Sequence, residues 1–415
     1  MKEIKQFLQN FLKNQGHYVF ISLLLGKICA FLSSIYIIRL IPEQDFGKIS
    51  IVAALFAVFS SCSGFGSAQS LLRFGSVAED KMEKSKLSAY LLRKGFLYQL
   101  ILTLIFLVVS VFFVQKYEDI FWIFLFFSVR LIGFFYFLHI QSDLRINNKN
   151  REFARINNVV NVLGLVILLV LSYYFQLAGY LIAMAVTPFL SLFWFKKDFL
   201  TAGKLSGSFD VKELWKYAWH TSGTALLSDA LFSVDIILLG FLMNENAVAN
   251  YRISILIPSN ITFLSLAFMQ SDFPVLAKNY TQKAFLKKYI SDYYKLFIPV
   301  CFIIFILAGI LSKDILRIFF DERYTENSFL FIIFMFMFLM NILFRNLYGN
   351  LLSAVGKMEV NTKASLFSLL LIIVLAFLLV PEFGILGMTL SVGITLMSSG
   401  FILGFFFHNY LKKLK

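Results

Sequence analysis

Three cysteines, four histidines and six prolines are all that 415 residues hold of these types. Cys29, Cys62 and Cys301 lie far apart in apolar segments, without metal-ligand spacing or disulfide logic, and read as small hydrophobes. His17, His139, His220 and His408 fall near one edge of an apolar segment and are not paired, which argues against metal binding. Acidic residues are scarce too: 24 Asp and Glu against 38 Lys and Arg leave a net charge of +14. No polar stretch is long enough for a soluble domain. The longest breaks, near 69–87 and 198–213, hold about 15–20 residues each. No cleavage-site pattern follows the first apolar stretch, so it is expected to remain as a span.

What the chain does have is apolar sequence, with a mean hydropathy of +0.78. A bilayer core about 30 Å thick is crossed by about 20 mostly apolar helical residues. Twelve stretches qualify: 17–40, 46–68, 88–114, 119–141, 154–176, 178–197, 214–241, 247–272, 288–312, 326–349, 358–380 and 384–407. The reading is therefore an all-α polytopic membrane protein with 12 transmembrane helices. Most basic residues fall in every second break, from Lys2, Lys5 and Lys13 through Arg73, Lys84, Arg93, Arg145, Arg155, Lys196, Lys204, Lys216, Lys278, Lys287 and Lys357 to Lys412, Lys413 and Lys415. Lys and Arg in short loops mark the cytoplasmic side, which puts both termini there. The positive charge then meets anionic headgroups, and nucleic acid is not an expected partner.

The two halves resemble each other. Ser34–Ile38 matches Ser233–Ile237, Phe46–Ile51 matches Asn250–Ile255, and Leu177–Tyr180 matches Ile385–Met388, 208 residues on. At that same offset Asn148–Lys149 falls on Gly356–Lys357. Each half, 1–205 and 206–415, would carry six helices in matching directions. Parallel repeats of this kind are a transporter architecture, with a substrate site between the halves near the midplane.

Three segments carry a family resemblance. RLIPEQDFGKIS (Arg39–Ser50) is similar to the junction of the first two helices in the polysaccharide flippases of the multidrug/oligosaccharidyl-lipid/polysaccharide exporter superfamily. DIILLGFLMNENAVANYRIS (Asp235–Ser254) resembles their seventh-to-eighth junction, although Asn250 stands where glycine is common. GNLLSAVGK (Gly349–Lys357) followed by VPEFGILGM (Val380–Met388) is a third match. The nearest kind is the Wzx-type O-antigen or capsule-repeat flippase. The resemblance implies two pseudo-symmetric, MATE-like six-helix bundles in the bacterial inner membrane. It also implies an undecaprenyl-pyrophosphate-linked oligosaccharide as cargo, moved from the cytoplasmic to the outer leaflet by alternating access. A polysaccharide polymerase and a chain-length regulator would be partners beside membrane lipids.

Charges inside the spans are the places to look for function, because each costs about 2.5–3.5 kcal/mol at a helix centre. Lys27, Arg130 and Arg345 are the candidates for a cationic cavity that meets the phosphates. Arginine suits phosphate because its planar fork stays charged and donates several hydrogen bonds. Each has a plainer reading as a snorkelling or paired structural charge. Asp229 is the candidate for coupling to an H+ or Na+ gradient, since a buried carboxylate can hold a proton or a cation. Asp235 and Arg252 lie at similar depth on adjacent spans and are expected to form a structural ion pair. No cofactor is expected. Pro188, Pro258 and Pro299 fall inside spans and would bend them.

Three other functions compete. A drug/cation antiporter of the same superfamily shares the helix plan, but would favour an acidic cavity. A polysaccharide polymerase or ligase would need an outer loop with a reactive constellation, and none is present. A scaffold would not need buried charges.

Overall fold

The computed structural model describes residues 16–78, 80–201, 205, 209–231 and 233–414. Among them the chain is helical and has no strand. Lys2, Lys5, Lys13, Lys204 and Lys415 lie outside the described residues, as do the side chains of His17 and Lys278. The chain divides into two compact units, Met1–Asp229 and Ala230–Lys415.

In the first unit, α1 (Gly16–Leu40) leads through Pro42 into α2 (Glu43–Ser61), whose first turn carries Glu43 and Asp45. Acids there favour the positive end of the helix dipole. The expected span 46–68 is not one helix. α2 stops at Ser61, a tight turn occupies Ser63–Gly66, and α3 (Ser67–Val77) resumes. Gly64, Phe65 and Gly66 are all left-handed, with φ of 55°, 46° and 80°. Two glycines make such a turn accessible. A buried break also needs partners for its freed backbone groups. Gln99 of α4 (Lys81–Val109) supplies one: its Oε1 accepts from the Gly64 N–H and the Ser63 hydroxyl, each at 2.9 Å. The polar break expected at 69–87 is largely helix. α4 starts at Lys81, capped by the Asp80 carboxylate, which accepts from Met82 N–H at 3.2 Å.

α5 (Ile120–Ile146) and α6 (Asn150–Trp194) follow. α6 doubles back at Gln176 (φ 47°, ψ −122°). Its end, Thr187–Trp194, tightens into a 3₁₀ helix with Pro188 at its start, so that proline opens a new segment instead of kinking a continuous helix. α7 (Val211–Leu231) completes the unit. The halves were expected to meet at 205/206, ahead of α7, whereas the units divide near its end. Packing accounts for the difference. Ser70 donates to the Leu214 carbonyl at 3.0 Å, Arg73 lies 4.8 Å from the Tyr217 ring, and Leu214 joins a core cluster with Leu71, Leu87, Leu91 and Ile146.

The second unit contains α8 (Val234–Leu242), α9 (Glu245–Lys278), α10 (Lys283–Phe319, bearing Pro299), α11 (Glu322–Ala354) and α12 (Met358–Lys413). α12 doubles back at Gly384 (φ 57°, ψ −132°). By length and apolar content eight described segments can cross a bilayer, or nine if α7 and α8 form one broken span. This is a multi-pass membrane protein.

The internal repeat is visible in backbone detail. Asn148 and Gly356 are both left-handed. Around them the hydrogen bonds repeat at the same offset: Asn148 N–H to Arg145 O and Lys149 N–H to Leu144 O, then Gly356 N–H to Ser353 O and Lys357 N–H to Leu352 O, all between 2.8 and 3.1 Å. Each is a helix end closed by a left-handed residue and a six-to-one bond. Gln176 and Gly384 obey the same offset. So do Gly179 and Gly387, where a Cβ would collide with the carbonyls of Leu171 and Leu379 on the preceding leg. Between lipid-solvated helices such close contact substitutes for the hydrophobic drive that water would supply.

Candidate functional site

Arg130 is held inside the first unit by α5. Its Nη1 donates to the Met184 carbonyl at 3.1 Å and lies 2.9 Å from Met184 Sδ. The guanidinium carbon is 5.1 Å from the centre of the Phe56 ring. Its Nε is buried without a hydrogen-bond partner. Among the described residues no carboxylate forms an ion pair with it. Cation–π contact and one carbonyl offset only part of the desolvation of a group that stays charged.

Lys27 lies on the flank of α1 that carries the exposed Leu23, Leu24 and Ile28, while the buried Ser22 and Cys29 face the rest of the unit. The contact face, on the far side of α1 from Lys27, is polar. Asn157 Nδ2 donates to Ser22 O at 2.9 Å, Gln141 Nε2 to Asn157 Oδ1 at 3.3 Å, and Asn161 Nδ2 to Asn157 O at 2.7 Å. Asn157 precedes and Asn161 lies within a π-helical turn, Val159–Leu163. Such bulges are frequent at functional sites. Sequence reading passed over them, although three asparagines within five residues of an apolar span (Asn157, Asn158, Asn161) were the signal.

Asp229, half-buried at the end of the first unit, is close enough to the break between α2 and α3 for its charge to act on the Cys62 thiol. Cys62 also contacts the Ser222 carbonyl, 3.7 Å from its sulfur. A second polar cluster lies toward the end read as cytoplasmic. Asp143 and Lys196 form an ion pair, and His139 Nε2 is 3.1 Å from Ser88 Oγ. Neither partner of that pair was singled out, because they are remote in sequence and each looks like an ordinary interfacial charge.

In the second unit Asp235 is buried. It accepts from the Tyr251 hydroxyl at 2.6 Å and from the Ile236 N–H at 2.8 Å, and Arg252 acts on it through its charge. The phenol was not anticipated; its neighbour Arg252 drew the inference. Arg345 sits in a second π-helical turn, Ile342–Asn346, and its Nε donates to Ser399 Oγ at 3.0 Å. The Ile342 carbonyl accepts from Tyr293 OH at 3.0 Å. Asn346 Nδ2 donates to Ser265 at 3.0 Å. One turn from Arg345, Asn341 Oδ1 is buried without a partner, and so is Thr395 Oγ1, one turn from Ser399. The structure thus places Lys27, Arg130 and Asp229 in the first unit, and Asp235, Arg252 and Arg345 in the second.

A family model described as "Polysaccharide biosynthesis protein" matches residues 12–280. The chain belongs to this polysaccharide biosynthesis protein family. That membership agrees with the Wzx-type resemblance of the Arg39–Ser50 and Asp235–Ser254 junctions. A capsular polysaccharide biosynthesis protein CapF from Staphylococcus aureus is 34% identical over 102 residues, and the match spans 24% of each chain. Among solved structures, an inward-facing multidrug resistance MATE family transporter of the MOP superfamily aligns at a TM-score of 0.71 with 15% identity, covering 94% of this chain and 95% of that one. The lipid II flippase MurJ in an inward closed conformation aligns at 0.70 with 17% identity, covering 95% and 87%. At these identities the likeness establishes the fold of this family member, which is MATE-like.

Proposed function

We propose that this chain is a flippase for an undecaprenyl-pyrophosphate-linked oligosaccharide, an O-antigen or capsule repeat unit. It moves the head group from the cytoplasmic to the outer leaflet of the bacterial inner membrane. In this reading twelve crossings form two six-helix halves, both termini are cytoplasmic, and access alternates. The observation that carries it is Arg130: a permanent cation at membrane depth with a bare Nε and no acidic partner among the described residues. Charges retained in spans at such cost mark substrate paths. The excess of intramembrane bases over acids suits an anionic cargo. The family match and the MurJ-like fold support the same reading. Lys27, Arg130 and Arg345 act on the diphosphate or on acidic sugars. Asp229 couples the cycle to a proton or sodium gradient, and Asp235 with Arg252 and Tyr251 is structural.

The test is reconstitution with defined lipid-linked oligosaccharides, scoring which become accessible on the far side. Arg130→Ala should abolish transport while the protein still inserts, and Arg130→Lys should retain part of it. Full transport by Arg130→Ala and Lys27→Ala would remove those assignments. Export of a cationic dye with no glycolipid movement would point to the drug/cation antiporter instead.

A further inference from the structure

The break between α2 and α3 does something that a helix interruption alone does not require. Phe65, a bulky residue in the left-handed region (φ 46°, ψ 43°), projects its ring onto Trp219 of α7, centroids 4.4 Å apart and planes 29° from parallel. Left-handed backbone is unfavourable for such a residue and persists where the surroundings impose it. Tyr98 of α4 meets both Phe65 (5.6 Å) and Trp215 (4.8 Å) edge-on. Trp215 is in turn fixed by its Nε1–H, which donates to Tyr90 OH at 3.2 Å. The four rings form one platform within the first unit. Trp219 is 49% exposed, and Phe65, Tyr98 and Trp215 are half-buried. One turn toward the end read as cytoplasmic, Lys94 precedes Tyr98 by four residues and Lys216 precedes Trp219 by three, so each ammonium shares its ring's face. Both are exposed.

Interfacial anchoring explains single aromatic and lysine side chains. It does not explain a ring delivered by a left-handed residue at a helix break and stacked face to face. Aliphatic side chains would suit an ordinary acyl chain equally well. We infer that this platform is a docking site for a polyprenyl diphosphate, with the first unsaturated, methyl-branched isoprene units on the Phe65–Tyr98–Trp219 rings and the diphosphate at Lys94 and Lys216. The flat, branched units match ring faces, and the two ammonium groups complement the diphosphate. The inference rests on the flippase reading for its choice of lipid. It adds a place where the lipid waits while its sugar is handled elsewhere.

The test uses the full chain in phosphatidylethanolamine/phosphatidylglycerol nanodiscs and a sugar-free polyprenyl diphosphate carrying a diazirine in its second isoprene unit. Labelling should map to the peptides holding Tyr98 and Trp219. Trp219→Ala should lower it about fivefold. If that variant does not assemble, Phe65→Gly removes a ring while keeping the left-handed backbone, and should act the same way. Lys94→Gln with Lys216→Gln should lower labelling by the diphosphate probe but not by the uncharged polyprenol analogue. Labelling indifferent to Trp219→Ala or Phe65→Gly, or displaced equally well by added phosphatidylglycerol, overturns the proposal. No transport step enters the measurement, so failure of glycolipid flipping with intact labelling would count against the proposed function alone.

Discussion

The reversals at Gln176 and Gly384, one in each unit, have nearly the same backbone and different residues. Gln176 and Gly384 take φ of 47° and 57° with ψ of −122° and −132°. Glycine adopts that conformation without strain, while glutamine adopts it only because the legs of α6 leave the chain no other way to reverse. Geometry is common to the halves, then, and the chemistry that meets it is local. The same contrast recurs at the breaks. In the first unit α2 ends in a left-handed turn clasped by Gln99, whereas its counterpart in the second, α9, runs unbroken from Glu245 to Lys278. Tyr36, which the repeat aligns with Asp235, donates to the Leu169 carbonyl at 3.2 Å, while Asp235 accepts from Tyr251.

The likeness between turns can be broken most sharply at Gly179 and Gly387. Valine at either position would meet the carbonyl of the preceding leg, and overpacking of this kind costs about 3 kcal/mol. Both variants should fail to give monodisperse protein on detergent size-exclusion chromatography; a well-behaved Gly387→Val would show that the second turn is looser. Next in size is Gln99→Leu, which strips two hydrogen bonds from a buried break. A loss of about 2–3 kcal/mol is expected, read as a fall in melting temperature. Tyr251→Phe in the second unit removes one hydrogen bond to a carboxylate and should cost about 2 kcal/mol in the same assay. Smallest is the exchange at the turns themselves. Gly384→Ala should destabilise by about 1–2 kcal/mol, and Gln176→Gly should stabilise by about 1 kcal/mol. Equal shifts of one sign would mean that the two turns do not share a strain.

Much of this was legible in advance where the signal was local. The 208-residue offset that sets Asn148–Lys149 on Gly356–Lys357 could be read from the sequence, but not that both pairs close helix ends in left-handed backbone. The membrane class followed from runs of apolar residues. The break in α2 was written as Ser63-Gly64-Phe65-Gly66, yet an apolar average smooths over two glycines. Asp143 with Lys196, and Asp235 with Tyr251, were not legible, because which charge meets which partner depends on how separate helices pack. Arg130 could be picked out as a cation within an apolar run, but not its Met184 and Phe56 surroundings.

By itself the sequence determined that the chain lives in a bilayer, that its halves resemble each other, and which charges fall inside apolar runs. Each of these is a sum over neighbouring residues, and hydropathy, loop charge and turn propensity are sums of that kind. Tertiary structure decided where the helices break or reverse, which polar groups satisfy the breaks, and which cation keeps a bare donor. Those outcomes depend on distances of a few ångströms between segments far apart in the chain, and nothing local encodes them.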